Sequence, residues 1–168
     1  ADTSVTPYFF MPAVTSTIPM IIKFDSDGNV QWVESIAGFN QTAGTPGPIY
    51  AHGGIAINNN EVALGTQGSN LFWGNIEVPR PFSHRPDPLL VRFDKQTGNV
   101  IDVHDIEGSA SENERMTALA VDNDGNYIAG GSFVANLFMN NTLGINPLMG
   151  TGEADFFVAK LANSECGS

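Results

Sequence analysis

Three stretches of this chain end alike: Met20-Ile21-Ile22-Lys23-Phe24-Asp25, Leu89-Leu90-Val91-Arg92-Phe93-Asp94 and Phe156-Phe157-Val158-Ala159-Lys160-Leu161. Behind the first two, Asn29-Val30-Gln31-Trp32-Val33-Glu34-Ser35-Ile36-Ala37-Gly38 aligns without a gap on Asn99-Val100-Ile101-Asp102-Val103-His104-Asp105-Ile106-Glu107-Gly108. Both read N-V-x-x-V-x-x-I-x-G. Gly54-Ile55-Ala56-Ile57 with Val62-Ala63-Leu64-Gly65 recurs as Ala118-Leu119-Ala120-Val121 with Tyr127-Ile128-Ala129-Gly130, and Asn70-Leu71-Phe72 recurs as Asn136-Leu137-Phe138. Four matched segments in one order make an internal repeat of roughly 65–70 residues, and such units bury their apolar faces against their neighbours.

Each unit reads as strands. Apolar residues come in runs of four to six bounded by Gly, Asn, Asp and Pro, with almost no helical periodicity. Asp25-Ser26-Asp27-Gly28-Asn29 and Asp122-Asn123-Asp124-Gly125-Asn126 place D-G between two such runs, a strong hairpin signal. Asp94 to Asn99 is a longer turn, and Asn58-Asn59-Asn60 turns with Asn, which tolerates positive φ. One unit is therefore four strands, Gly54–Ile57, Glu61–Gly65, Leu89–Asp94 and Asn99–Ile106. The next starts at Ala118–Val121 and Asn126–Gly130 and continues through Phe156–Leu161. Inserts at 67–87 and 132–154 carry Leu71-Phe72-Trp73 and Leu137-Phe138-Met139, an extra strand or an apolar anchor. Residues 1–19 read as the tail of a preceding unit, with Tyr8-Phe9-Phe10 in the place of Asn70-Leu71-Phe72. Residues 20–161 hold the two repeats, and 162–168 are an exit segment. A four-stranded antiparallel meander at this repeat length fits an all-β propeller blade, about two blades and a partial one, because runs such as Met20-Ile21-Ile22 need cover on both faces. A two-sheet sandwich of duplicated hairpins is the alternative.

Composition narrows the partners. With 18 acidic against 7 basic residues the net charge is -11, which disfavours nucleic acid and anionic membranes. No apolar run approaches the roughly 20 residues of a membrane span. Cys166, the single cysteine, has no internal partner, and no Cys/His zinc set occurs. The chain opens at Ala1 without a methionine, as a processed secreted protein or a trimmed chain would.

Gly131-Ser132-Phe133, Asn136-Leu137-Phe138 and Asp155-Phe156-Phe157-Val158-Ala159-Lys160-Leu161 resemble the G-S-F … F … D-x-F-V-A-K-L series of SBBP-type β-propeller repeats. The stretch from Ala118 to Gly130 is similar to their A-x-A-V-D-x-x-G-N-x-Y-V-x-G segment, and Asn29-Val30-Gln31-Trp32 to their G-N-V-x-W strand. The first unit departs in having Ile18 where the later ones have Asp87 and Asp155. The resemblance spans 20–161. It implies a secreted or cell-surface protein of the kind common in Bacteroidetes, often ahead of a type IX secretion sorting domain. It implies no activity.

Candidate sites lie mostly in loops. Phe72 and Trp73, with Arg80, His84 and Arg85 of the Pro79–Pro86 stretch and with Arg115, combine aromatic and Arg groups that are enriched at recognition surfaces and suit a protein or glycan ligand. Phe72 and Trp73 could equally pin the long loop. Glu112, Glu114 or His84 could serve as acid or base in a hydrolytic, polysaccharide-active propeller, the rival to a non-enzymatic binding or scaffolding module. No G-x-S-x-G elbow is present. His52 and His104 read as surface or loop-packing residues. The Asp-x-Asp-Gly-Asn turns resemble half a calcium loop and would hold calcium only weakly, so no cofactor and no catalytic metal are expected. Asn40-Gln41-Thr42 and Asn140-Asn141-Thr142 match the glycosylation sequon. Two units and a tail leave a first and a last sheet. Ile21, Trp32, Phe156 and Val158 are therefore expected to be covered by further blades, a second copy or another protein.

Overall fold

The computed structural model describes residues 18–39, 53–58, 60–80, 84–109, 111–112, 114–139 and 144–162. Tyr8 to Phe10, His52, the two sequon asparagines and Cys166 lie outside them. The described residues are all-β and antiparallel, with no α-helix. Thus no helix among them is long and apolar enough to cross a membrane, a statement that leaves β-barrels aside.

The strands fall where hydrophobic runs alternate with turn residues. The central sheet is β3 (Ile55–Ile57), β4 (Glu61–Gly68), β7 (Asp87–Asp94) and β8 (Val100–Asp105), paired in the order β3-β4-β7-β8. These are the four expected strands, with β4 and β7 longer at one end. The first sheet joins β1 (Met20–Phe24) and β2 (Val30–Phe39) to the hairpin β5 (Leu71–Trp73) and β6 (Ile76–Val78), in the order β1-β2-β5-β6. The third holds β9 (Arg115–Val121), β10 (Tyr127–Phe133) and β13 (Asp155–Leu161), in the order β13-β10-β9, and β11 (Asn136–Leu137) pairs with β12 (Leu148–Met149).

The repeat holds at the level of register. Phe24 pairs with Val30, Lys23 with Trp32, Ile22 with Val33 and Ile21 with Glu34, with a bulge between Lys23 and Phe24. Phe93 pairs with Val100, Arg92 with Asp102, Val91 with Val103 and Leu90 with His104, with a bulge between Arg92 and Phe93. Every aligned pair recurs, bulge included, as the gapless N-V-x-x-V-x-x-I-x-G match requires. β4–β7 and β10–β13 agree in the same way: Gly65 pairs with Leu90 where Gly130 pairs with Val158. The repeated glycine has a packing cause in the first case, since a Cβ on Gly65 would stand 2.8 Å from the Gly53 Cα and from the Met116 sulfur.

The central sheet is covered on both faces. Leu89, Val91 and Phe93 with Val62 and Leu64 pack on the first sheet's Ile21, Trp32, Ile36, Leu71 and Trp73. Leu90, Ala63 and Ala56 pack on the third sheet's Met116, Tyr127, Ala129, Phe157 and Leu161. One expectation needs correction here. Ile21 and Trp32 are buried within the chain rather than awaiting cover from outside. Strand alternation turns them toward the central sheet, where Trp32 stacks on Phe93 at 6.3 Å between ring centroids. The first insert supplies an extra strand, β5, which pairs outside its own unit. β5 hydrogen-bonds to β2 of the preceding sheet, and the second insert reaches back likewise through a bridge between Leu137 and Gly108. Each insert thus ties one sheet to the sheet before it.

Candidate functional site

Antiparallel order sends alternate connections to opposite ends of the sheets. The short Asp and Asn turns gather on one rim. The long connections β4–β7, β8–β9 and β10–β13 gather on the other, and the backbone N–H of Met139 donating to the Glu107 carbonyl at 2.9 Å shows two of them in contact.

The long-loop rim is built around Asp87, the first residue of β7, which is completely buried. Its Oδ1 accepts the Gly108 N–H at 2.9 Å, and its Oδ2 accepts Arg80 Nε at 2.6 Å. A second Arg80 nitrogen bonds the Asp105 carboxylate at the end of β8. Arg80 is itself placed by its backbone N–H, which donates to Asn70 Oδ1 at 2.7 Å. Asn70 adopts a positive φ of 53° at the hairpin entrance. His84 Nε2 stands 3.0 Å from Asp87 Oδ2 but off the line of a hydrogen bond. Burial draws the Arg80 guanidinium down, and the Asp105 and Asp87 carboxylates more than reverse this and raise it. Burial likewise raises the Asp105 carboxyl, and Arg80 holds it back.

Glu114 lies just before β9, fully buried, with Oε1 accepting the Ser109 hydroxyl at 2.9 Å and Oε2 lacking a hydrogen-bond donor. The loop passes so close that a Cβ on Gly108 would stand 2.6 Å from the Glu114 carboxyl carbon. Burial pushes the Glu114 carboxyl above its ordinary value of 4.5. The folded state therefore holds this proton more tightly than the unfolded chain does. Stability is lost as pH rises through the window above 4.5 and does not return beyond it. Glu114→Gln, neutral throughout, should lack that loss. Denaturation midpoints measured from about pH 4 to about pH 7 should show the natural chain falling relative to the variant. Parallel curves would refute this account.

The sequence candidates separate by burial. Trp73 is completely buried with its ring edge 5.7 Å from Phe93, so it pins the insert, and Phe72 is half-buried opposite Glu77 and Gly38. Arg80 is inside the ion network, and His84 is buried beside Asp87. Arg85 and Arg115 remain exposed, and Glu112 is half-buried beside Ser111. His104, read as a surface or loop-packing residue on an exposed position, is half-buried, and burial lowers its imidazole below the usual value. Asp87, Asp105 and Ser109 were not singled out from the sequence. The signal for Asp87 was an aspartate recurring as Asp155 at the head of an apolar strand, yet Asp155 is only half-buried and accepts the Thr151 N–H.

On the short-turn rim a cleft of about 670 Å³ is lined by Asn58, Asn60, Glu61, Lys95, Asp122 and Asp124, among others. Two of its carboxylates, Glu61 and Asp122, are engaged. Arg92 grips Glu61 with two nitrogens at 2.9 and 2.7 Å, and the Tyr127 hydroxyl donates to Glu61 at 2.8 Å. Burial pushes the Glu61 carboxyl up, and these bonds outweigh it and hold it low. Lys160 sits 2.6 Å from Asp122, the first cause of the low pKa of that carboxyl. Asp25, Asp94 and Asp122 each accept two backbone N–H groups of their own turns. These aspartates act as turn caps. Among the described residues no group of three His, Cys, Asp or Glu is placed to hold a metal ion.

No protein-family model matches this chain, and no curated protein matches it either.

Proposed function

We propose that this chain is part of a secreted or cell-surface β-propeller of the SBBP-repeat type, each four-stranded meander forming a blade. In this reading it works as a non-enzymatic binding or scaffolding module that meets a protein or glycan through its long-loop rim. The observation that carries the reading is the central sheet: a four-stranded antiparallel meander, covered on both faces by sheets whose strands repeat its register. That is how a blade sits between its neighbours. Support for a binding role comes from how the rim is built. The Arg80–Asp87–Asp105 network and Trp73 anchor the β4–β7 insert, and Arg85 within that insert and Arg115 at the start of β9 stand exposed. Two of the three groups a hydrolytic propeller would use here, Glu114 and His84, are buried in structural contacts, which disfavours that rival.

The test uses immobilised polysaccharides and glycoproteins as probes. Arg85→Glu with Arg115→Glu should weaken whatever binding the natural chain shows by about tenfold or more, since charge reversal opposes any ligand those cations contact. Asn123→Ala on the opposite rim should leave it unchanged. Binding lost through Asn123 instead would place the ligand elsewhere. Release of reducing sugar, abolished by Glu112→Gln, would establish the hydrolytic reading.

A further inference from the structure

The two end sheets each keep one face open, and the repeat says what kind of surface each face is. On the third sheet, Val158 pairs with Gly130 as Leu90 pairs with Gly65, and Lys160 pairs with Ile128 as Arg92 pairs with Ala63. Leu90 is completely buried under the third sheet, but Val158 is 70% exposed and its neighbour Phe156 84% exposed. On the first sheet, Met20, Ile22 and Phe24 hold the positions of Leu89, Val91 and Phe93, as their partners Ser35, Val33 and Val30 show. Those three are completely buried against the first sheet, whereas Met20 is 46% and Phe24 54% exposed. One open face is therefore the forward kind, which inside the chain always meets the backward kind. The other open face is of that backward kind.

We infer that a second copy of this chain docks head to tail, its first-sheet face (Met20, Ile22, Phe24, Val33) on the third-sheet face (Ile128, Phe156, Val158) of its neighbour. The partner's chemistry is argued from continuity. The chain contains this forward-to-backward contact twice, at both faces of the central sheet, and carries one unused half of it at each end. Contacts between two forward or two backward faces have no counterpart inside it. Residues 84% and 70% exposed on one sheet face form the sort of apolar patch that soluble chains cover. The contact is heterologous, so copies add in one direction into a ring or an open stack. This inference rests on the registers and not on the ligand-binding role, and its failure would leave that role standing.

The experiment follows from the asymmetry. Light scattering coupled to size exclusion is run on the 168-residue chain over a concentration series at physiological salt, which screens the repulsion between copies of net charge -11. The natural chain should show masses above the monomer that grow with concentration. Phe24→Asp spoils the backward face and Val158→Asp the forward face, so each variant alone should run as a monomer. Mixed in equal amounts they should form a one-to-one dimer and nothing larger, because each supplies the face the other lacks. Both positions are exposed, and unchanged circular dichroism would show that the variants fold. Met20→Ser and Phe156→Ser serve as a milder pair if either does not. A natural chain that stays monomeric at every concentration overturns the proposal, whether its faces are then left to solvent or covered by its own terminal residues. So does a dimer that survives in either variant alone, or a mixture that stays monomeric.

Discussion

Arg80→Ala should cost about 3–5 kcal/mol of folding stability, read from urea or thermal unfolding. The arginine is buried and pairs with both Asp87 and Asp105, of which Asp87 is wholly inaccessible to water. Removing it leaves two carboxylates in a low-dielectric site with one imidazole near them, and uncompensated buried charge is among the most damaging single changes. Domains of this size are stable by only about 5–15 kcal/mol, so the loss would be a large share of the total. Asp87→Ala should be comparably harmful. It leaves Arg80 with Asp105 alone and also removes the acceptor of the Gly108 N–H. The double variant should fall short of the summed losses by about 1 kcal/mol or more, because the two act as one pair. The pH dependence has a definite sign. Burial raises the Asp105 carboxyl and Arg80 holds it back, so without Arg80 it should take up its proton more readily, and the deficit relative to the natural chain should shrink as pH falls. A loss under about 1 kcal/mol would mean that water reaches this network freely.

Trp73→Ala should cost a similar amount, about 3–5 kcal/mol, for a different reason. Trp73 is completely buried, lies edge-on to Phe93 and pairs across the sheet with Ile36. Alanine would open a cavity between the first and central sheets and loosen the hairpin that joins them. Faster proteolysis within the 67–87 insert should accompany the lower melting point. Trp73→Phe separates packing from polarity. The indole N–H has no hydrogen-bond partner, so its loss removes an uncompensated buried donor, and the cost should stay below about 1.5 kcal/mol. If both substitutions cost the same, shape complementarity at Phe93 rather than cavity volume would control the site.

The same residue shows how a sequence can narrow a site without resolving it. Phe72 and Trp73 were legible as apolar residues in a long polar insert, and two uses were open: a recognition surface or an anchor. Strand alternation assigns neighbouring residues to opposite faces, but it does not say which face will be covered. Here the hairpin lies on β2, which places Trp73 in the core and leaves Phe72 half-buried. Arg80 and His84 followed the same course. Their polar side chains suggested a surface; Asp87 lies only a few residues away, but the fold alone brings Asp105 to Arg80 and the Gly108 N–H to Asp87, and so buries them.

What the sequence determined by itself was local and periodic. The all-β class, the four strands of the central unit, the turns at Asp25, Asp94 and Asp122 and the recurrence of one strand pattern in two units all follow from short-range patterns repeated along the chain. Such patterns survive because strand and turn preferences act over a few residues. The tertiary structure alone decided which face of each end sheet is buried, so that Ile21 and Trp32 are inside while Phe156 and Val158 remain outside. It alone decided that each insert pairs with the preceding sheet, and that Arg80, Asp87, Asp105 and Glu114 come together on one rim. These are matters of long-range packing, in which the free energy depends on partners tens of residues away, and no local preference encodes them.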